Sequence, residues 1–124
     1  MIQSYQELNV WKRSVALATE LYRITGRFPD TERYGLSSQI RRAAVSIAAN
    51  IAEGWGRGST REYVQFLTIA RGSLLELETH FIIARNLEFL KSEDFGMASS
   101  ELKELGKMLN GLIRSLRSRD RRAA

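Results

Sequence analysis

Ile47-Ala48-Ala49-Asn50-Ile51-Ala52-Glu53-Gly54-Trp55-Gly56-Arg57-Gly58-Ser59-Thr60-Arg61-Glu62-Tyr63 is the stretch whose reading decides the fold. On its N-terminal side, Ile47 and Ile51 complete an apolar stripe begun by Leu36, Ile40 and Ala43 or Ala44, at the three- and four-residue steps of one helix face. Three glycines within five residues then supply the backbone freedom of a turn. Ser59-Thr60-Arg61-Glu62 has the pattern of a capping box, in which serine and glutamate satisfy each other's free backbone donors, so a new helix is expected to start there. Helix, short turn and capped helix together describe an antiparallel helical pair.

Working outward, the third helix carries Tyr63, Phe66, Leu67, Ala70, Leu74, Leu77, Phe81 and Ala84 on one side and runs to about Leu87, roughly 40 Å long at ~1.5 Å per residue. Ser92-Glu93-Asp94 reads as a further cap, and beyond it Phe95, Ala98, Leu102, Leu105, Leu109, Leu112 and Leu116 form a packing seam. Upstream, Leu8, Trp11, Val15, Ala18, Leu21 or Tyr22, and Thr25 mark a first helix, closed by Gly26-Arg27-Phe28-Pro29. Pro29 suits the first turn of the second helix, with Asp30 and Glu32 near its positive end and a looser turn around Gly35. No run combines β-branched residues with strict alternation, and the connections are short. The expectation is an all-α, antiparallel up-down-up-down four-helix bundle: one domain over residues 1–116, breaks near 26 to 30, 54 to 59 and 88 to 92, and a basic tail at 117–124 that lacks an apolar face and is expected to fray.

The composition fits this. A 124-residue chain that is 44% apolar and 27% charged suits a single soluble core, and the absence of cysteine excludes disulfides, thiolate metal sites and thiol catalysis. Neither a basic leader followed by an apolar run nor eighteen consecutive apolar residues occur, so a cytoplasmic protein is expected. The net charge of +5 is uneven: Arg114, Arg117, Arg119, Arg121 and Arg122 face one acid, Asp120, so the last twelve residues hold all but one unit of it. A nearly neutral body with a cationic end points to a docking surface for phosphate or for an acidic partner.

Catalytic patterns are missing. The Gly54–Gly58 run lacks the preceding strand and the lysine of a phosphate loop. A paired-iron bundle needs two Glu-x-x-His pairs, whereas this chain has one histidine, His80, whose expected neighbour is Glu76 one turn away. Glu76 and Glu78 are two positions apart and point to different sides of the helix, which spoils them as an acid and base pair. The reading is of no enzyme, no cofactor, no metal and no small-molecule substrate.

Two polar lines invite a separate reading. Gln39, Arg42, Ser46, Asn50 and Glu53 run along the second helix among small alanines, and Glu62, Gln65, Thr68, Gly72 and Glu76 run along the third. Either both are solvated faces, or Arg41 or Arg42 pairs with Glu76 or Glu78 at a helix or subunit contact, with Gly72-Ser73 allowing close approach. For nucleic acid, the candidate contacts are Arg114, Arg117, Arg119, Arg121 and Arg122, helped by Lys103 and Lys107, and Arg57 with Arg61 beside Trp55. The competing account is that basic residues at the helix end complement its dipole and aid solubility.

Leu8-x-x-Trp11, the run Phe28-Pro29-x-x-Glu32-x-Tyr34-Gly35-Leu36-x-x-Gln39-Ile40-Arg41-Arg42-Ala43-Ala44-x-Ser46-Ile47-x-x-Asn50-Ile51-Ala52-Glu53-Gly54, and Ala70-x-Gly72-Ser73-Leu74-x-Glu76-Leu77-Glu78 resemble the four-helix bundle proteins encoded in intervening sequences of bacterial 23S ribosomal RNA. The resemblance spans roughly residues 5 to 90 and omits the basic tail. It implies a four-helix bundle, a ring-shaped homopentamer, and kinship with an accessory protein of diversity-generating retroelements that works with RNA and a reverse transcriptase. It also implies structural or interface roles for Gln39, Arg41, Arg42, Ser46, Asn50, Glu53, Gly72, Ser73, Glu76 and Glu78, and no catalytic role for any of them. The expected function is a non-enzymatic homo-oligomer binding RNA or a ribonucleoprotein, with a protein-interaction scaffold lacking nucleic-acid affinity as the alternative.

Overall fold

A computed structural model describes the backbone of residues 2–123 and the side chains of residues 2–121. Four helices account for most of the chain: α1 (Asn9–Thr25), α2 (Leu36–Trp55), α3 (Thr60–Asn86) and α4 (Ser92–Ala123), with single 3₁₀ turns at Tyr5–Glu7 and Asp30–Glu32. Each helix packs on the next in sequence and α4 returns to α1, while the backbones of the two diagonal pairs stay farther apart among the described residues. That square of neighbours, joined by short turns, is an antiparallel four-helix bundle. The stripes read from the sequence meet at its centre, where Leu21, Ile40, Ile47, Ile51, Leu67, Leu77, Phe81, Leu102, Leu105 and Leu109 are fully buried.

The helix ends show how local chemistry sets the turns. Pro29 is extended and precedes a lone 3₁₀ turn, so α2 starts at Leu36 and not directly after the proline. Gly35, at φ −108° and ψ −116°, breaks the helical path, and Glu32 Oε1 accepts a hydrogen bond from the Leu36 amide at 3.1 Å. Ser59 caps α3 through its Oγ, which accepts from the Glu62 amide at 3.1 Å. The expected return bond takes another form: the Ser59 hydroxyl donates to Glu62 Oε1 at 3.1 Å, and the other carboxylate oxygen takes Arg57 Nε at 3.0 Å. At the far end, Glu88 adopts φ +63° and lets the Phe89 amide reach back to the Ala84 carbonyl at 2.9 Å and the Glu88 amide to the Arg85 carbonyl at 3.0 Å. This is the pair of hydrogen bonds that marks a left-handed helix stop, made here without glycine.

The structure departs from the sequence reading in two further places. Residues 117–123 continue α4 as helix, where fraying was expected from the missing apolar face. Arginine is a good helix former and nothing in the segment breaks a helix, so the run extends past Leu116, the last buried side chain of α4 among the described residues. Within the chain, Gly72 is not a point of close approach either, because a Cβ added there meets nothing within 4 Å. The close approach lies at Gly54, where an added Cβ would sit 2.7 Å from Phe66 Cβ and 3.1 Å from Tyr63 Cδ1. We expect Gly54→Ala to destabilise the chain by ~1–3 kcal/mol through overpacking. Gly72→Ala is expected to stabilise it by ~1 kcal/mol through helix propensity. Urea unfolding of the two variants checks both signs.

Between α1 and α4, Arg13 grips Glu101 with both carboxylate oxygens, Nε to Oε1 at 2.7 Å and Nη2 to Oε2 at 2.9 Å. The hydrogen bonds from Arg13 hold the Glu101 carboxyl below its ordinary 4.5, outweighing the opposing effect of burial. A depressed folded pKa adds stability that is complete above the unfolded value and disappears as pH falls through the folded one. Thermal melts of Glu101→Gln against wild type should therefore differ fully above pH 4.5, and the difference should shrink as pH falls from there through the lower folded value.

Candidate functional site

Because α3 and α4 run antiparallel, the start of α3 lies beside the end of α4. Arg114, Arg117 and Arg121 recur at steps of three and four, which places them on one face of α4. With Arg71 of α3, Asn110 and Ile113 they line a groove of about 410 Å³. Arg71 Nη1 donates to Asn110 Oδ1 at 2.9 Å, which fixes one guanidinium against the neighbouring helix. Lys103 and Lys107 extend the same face of α4 by their spacing and are exposed.

The groove continues round the end of the bundle. Arg117 also lines a smaller cleft of about 180 Å³ with Thr60, Arg61, Val64 and Asp120. Thr60 and Asp120 in turn belong to a larger cleft of about 590 Å³, shared with Trp55, Tyr63 and Arg119. Among the described residues, none of Arg61, Arg71, Arg114, Arg117, Arg119 and Arg121 makes an ion pair, and Asp120 is the one carboxylate lining these clefts. Such a row of guanidiniums offers paired N–H donors to phosphate oxygens. Burial raises the Tyr63 phenol above its ordinary 10.0, with the charge of Arg119 opposing, and its hydroxyl is buried without a hydrogen-bond partner.

The sequence reading treats the tail and the Arg57–Arg61 turn as separate patches, whereas the structure brings Arg61 and Arg117 to one cleft. Arg57 has a different setting. It lies between Glu62 and Glu53, with Nε 3.0 Å and Nη1 3.3 Å from their oxygens, and its guanidinium is 5.3 Å from the Phe66 ring centre. Its charge is thus balanced inside the turn. The Arg122 side chain lies outside the described residues. Arg71, absent from the residues that sequence spacing singles out, completes the groove; the available signal was a cation next to Ala70 on the side of α3 that meets α4.

The polar line of α2 is only partly joined to α3. Ser46 Oγ and Ser73 Oγ are 2.9 Å apart, and Asn50 Nδ2 donates to the Ser46 carbonyl at 2.8 Å and to its Oγ at 3.0 Å. Gln39, Arg42, Ser46, Ser73 and Glu76 line a polar cleft of about 400 Å³ with Tyr34. Within the chain, the expected pairing of Arg41 or Arg42 with Glu76 or Glu78 is not made among the described residues. Arg41 turns instead to α1, where it donates to Thr25 Oγ1 at 2.8 Å and the Tyr22 carbonyl at 3.1 Å and lies 4.7 Å from the Tyr22 ring centre. That adds a side-chain donor to a carbonyl in the last turn of α1 that also accepts the Gly26 amide at 3.2 Å. Glu76 faces His80 at 3.4 Å, the one-turn contact expected, and Glu53 is the partner of Arg57. Among the described residues no group of three His, Cys, Asp or Glu side chains could hold a metal, and no helix is long and apolar enough to cross a membrane.

Fold and surface together define an antiparallel helical bundle with a cationic groove along one corner. The chain belongs to the 23S rRNA-intervening sequence protein family, whose model matches residues 6–111. Among solved structures, the chain is similar to a Bacteroides thetaiotaomicron protein of unknown function from the S23 ribosomal protein family. The two share 24% identity with a TM-score of 0.76, over 84% of this chain and 97% of that one, a likeness of fold. No curated protein matches the chain. The family match ends before Arg114, so most of the arginine groove lies beyond it.

Proposed function

We propose that this chain is a non-enzymatic protein that binds RNA or a ribonucleoprotein through phosphate contacts along the α3–α4 corner. The observation that carries the reading is the convergence of Arg71, Arg114, Arg117 and Arg121 on one groove without a carboxylate among its lining residues. Family membership supports RNA as the polyanion. Deleting residues 117–124 removes the arginines past Leu116 without touching a buried side chain of the described core. The truncated protein should bind a structured 23S rRNA fragment more weakly, with the slope of log affinity against log salt reduced by about 0.7–0.9 for each phosphate that is no longer neutralised. An unchanged affinity and slope would instead favour a protein-interaction scaffold. The feature that speaks for that alternative is the cleft of about 400 Å³ between α1 and α2, lined mainly by apolar groups including Trp11, Val15, Tyr22 and Val45.

We also propose a closed homo-oligomer, a pentamer by family resemblance, in which each phosphate groove is repeated around the ring. Exposed Tyr22 and Val45 on one side and Leu75 and Ile82 on α3 give separate apolar patches of the kind that head-to-tail contacts cover. Sedimentation at micromolar protein should give a species several times the 14.1 kDa chain mass. A monomer alone would overturn the assembly.

A further inference from the structure

We propose that the cleft walled by Trp55 and Tyr63 takes an unpaired nucleobase from a single-stranded segment of RNA, while the adjoining phosphates lie on the arginines of α3 and α4. The inference rests on the RNA-binding reading and adds to it the form of RNA that is selected.

Size and lining carry the first step. At about 590 Å³ the cleft has the dimensions of a small-molecule site, roughly 300–1,000 Å³. Two of its lining residues are aromatic, and neither is fully buried. Every base has a π face, so such a wall holds bases of any sequence by stacking. Polar groups stand among the aromatics: the hydroxyl-bearing Ser59 and Thr60, and the carboxylate of Asp120, which suits an exocyclic amine.

Continuity with the cations carries the second step. Thr60 and Asp120 line both this cleft and the one holding Arg61 and Arg117, and Arg117 leads on into the groove of Arg71, Arg114 and Arg121. Arg119 stands in the aromatic cleft itself. An aromatic recess opening onto a file of guanidiniums matches a nucleotide strand, in which each base is tethered to a phosphate. An A-form duplex offers phosphates to the same cations and keeps its base faces stacked inside, out of reach of the recess.

The test uses the full-length protein with three probes: a single-stranded RNA of about ten nucleotides, a blunt duplex of the same length, and a mononucleotide. The single strand should quench tryptophan fluorescence and the duplex should bind without quenching. Trp55→Leu should abolish the quench and weaken single-strand binding about tenfold, while leaving duplex affinity and the salt slope of both RNAs unchanged. Equal binding of strand and duplex with no quench overturns the nucleobase site and leaves the phosphate groove standing. Binding of neither RNA overturns both readings. A mononucleotide that binds as tightly as the strand makes the cleft a nucleotide pocket and overturns its coupling to the arginine groove.

Discussion

The packing of α2 against α3 at Gly54 governs the end of the molecule where its distinctive chemistry collects. A side chain at that position would push Tyr63 and Phe66 away, and with them the first turns of α3. Trp55 follows directly, so the width of this contact sets the distance between the two aromatics. α4 then returns to the same end because its seam from Ala98 to Leu116 is buried along its length. The arginines are thus delivered to the cleft by core packing and not by a contact of their own. Trp55, Tyr63 and Arg71 sit on helical segments that carry buried side chains, which holds their relative positions better than loops would.

Electrostatics divides the cations into two kinds. Arg13, Arg27 and Arg57 are matched to Glu101, Asp94, and Glu53 with Glu62, and each ties two parts of the chain together. Exposed pairs of this sort contribute little individually, so their main effect is geometric. Arg61, Arg71 and the arginines of α4 make no such pairs among the described residues. A chain of modest net charge thereby gathers a cluster of unpaired arginines at one corner.

The helices and the core were legible in the sequence because burial follows a periodic pattern, and the stripes of Ile40, Ile47 and Ile51 or Leu102, Leu105 and Leu109 have no competing period. Boundaries were less so: the start of α2 depends on the backbone of Gly35 and on Glu32 reaching forward, neither of which spacing encodes. Close approach was expected at Gly72 and lies at Gly54 within the chain, because a glycine's surroundings lie on another helix. Arg71 escaped notice for the same reason, since it gains meaning only when α4 lies alongside. The arginine cluster itself was visible as composition; its division between a groove and an aromatic cleft required the third dimension.

Past Leu116, α4 has no fully buried side chain among the described residues, and its final turns are stabilised chiefly by their own backbone bonds. Segments of that kind open at low free energy, well below global unfolding. The cationic face is therefore a surface whose order is itself in equilibrium, and any polyanion that settles on it must first meet the entropic cost of holding those turns helical. Docking and helix formation become thermodynamically coupled there: whatever lengthens the helix sharpens the binding surface, and whatever occupies the surface lengthens the helix.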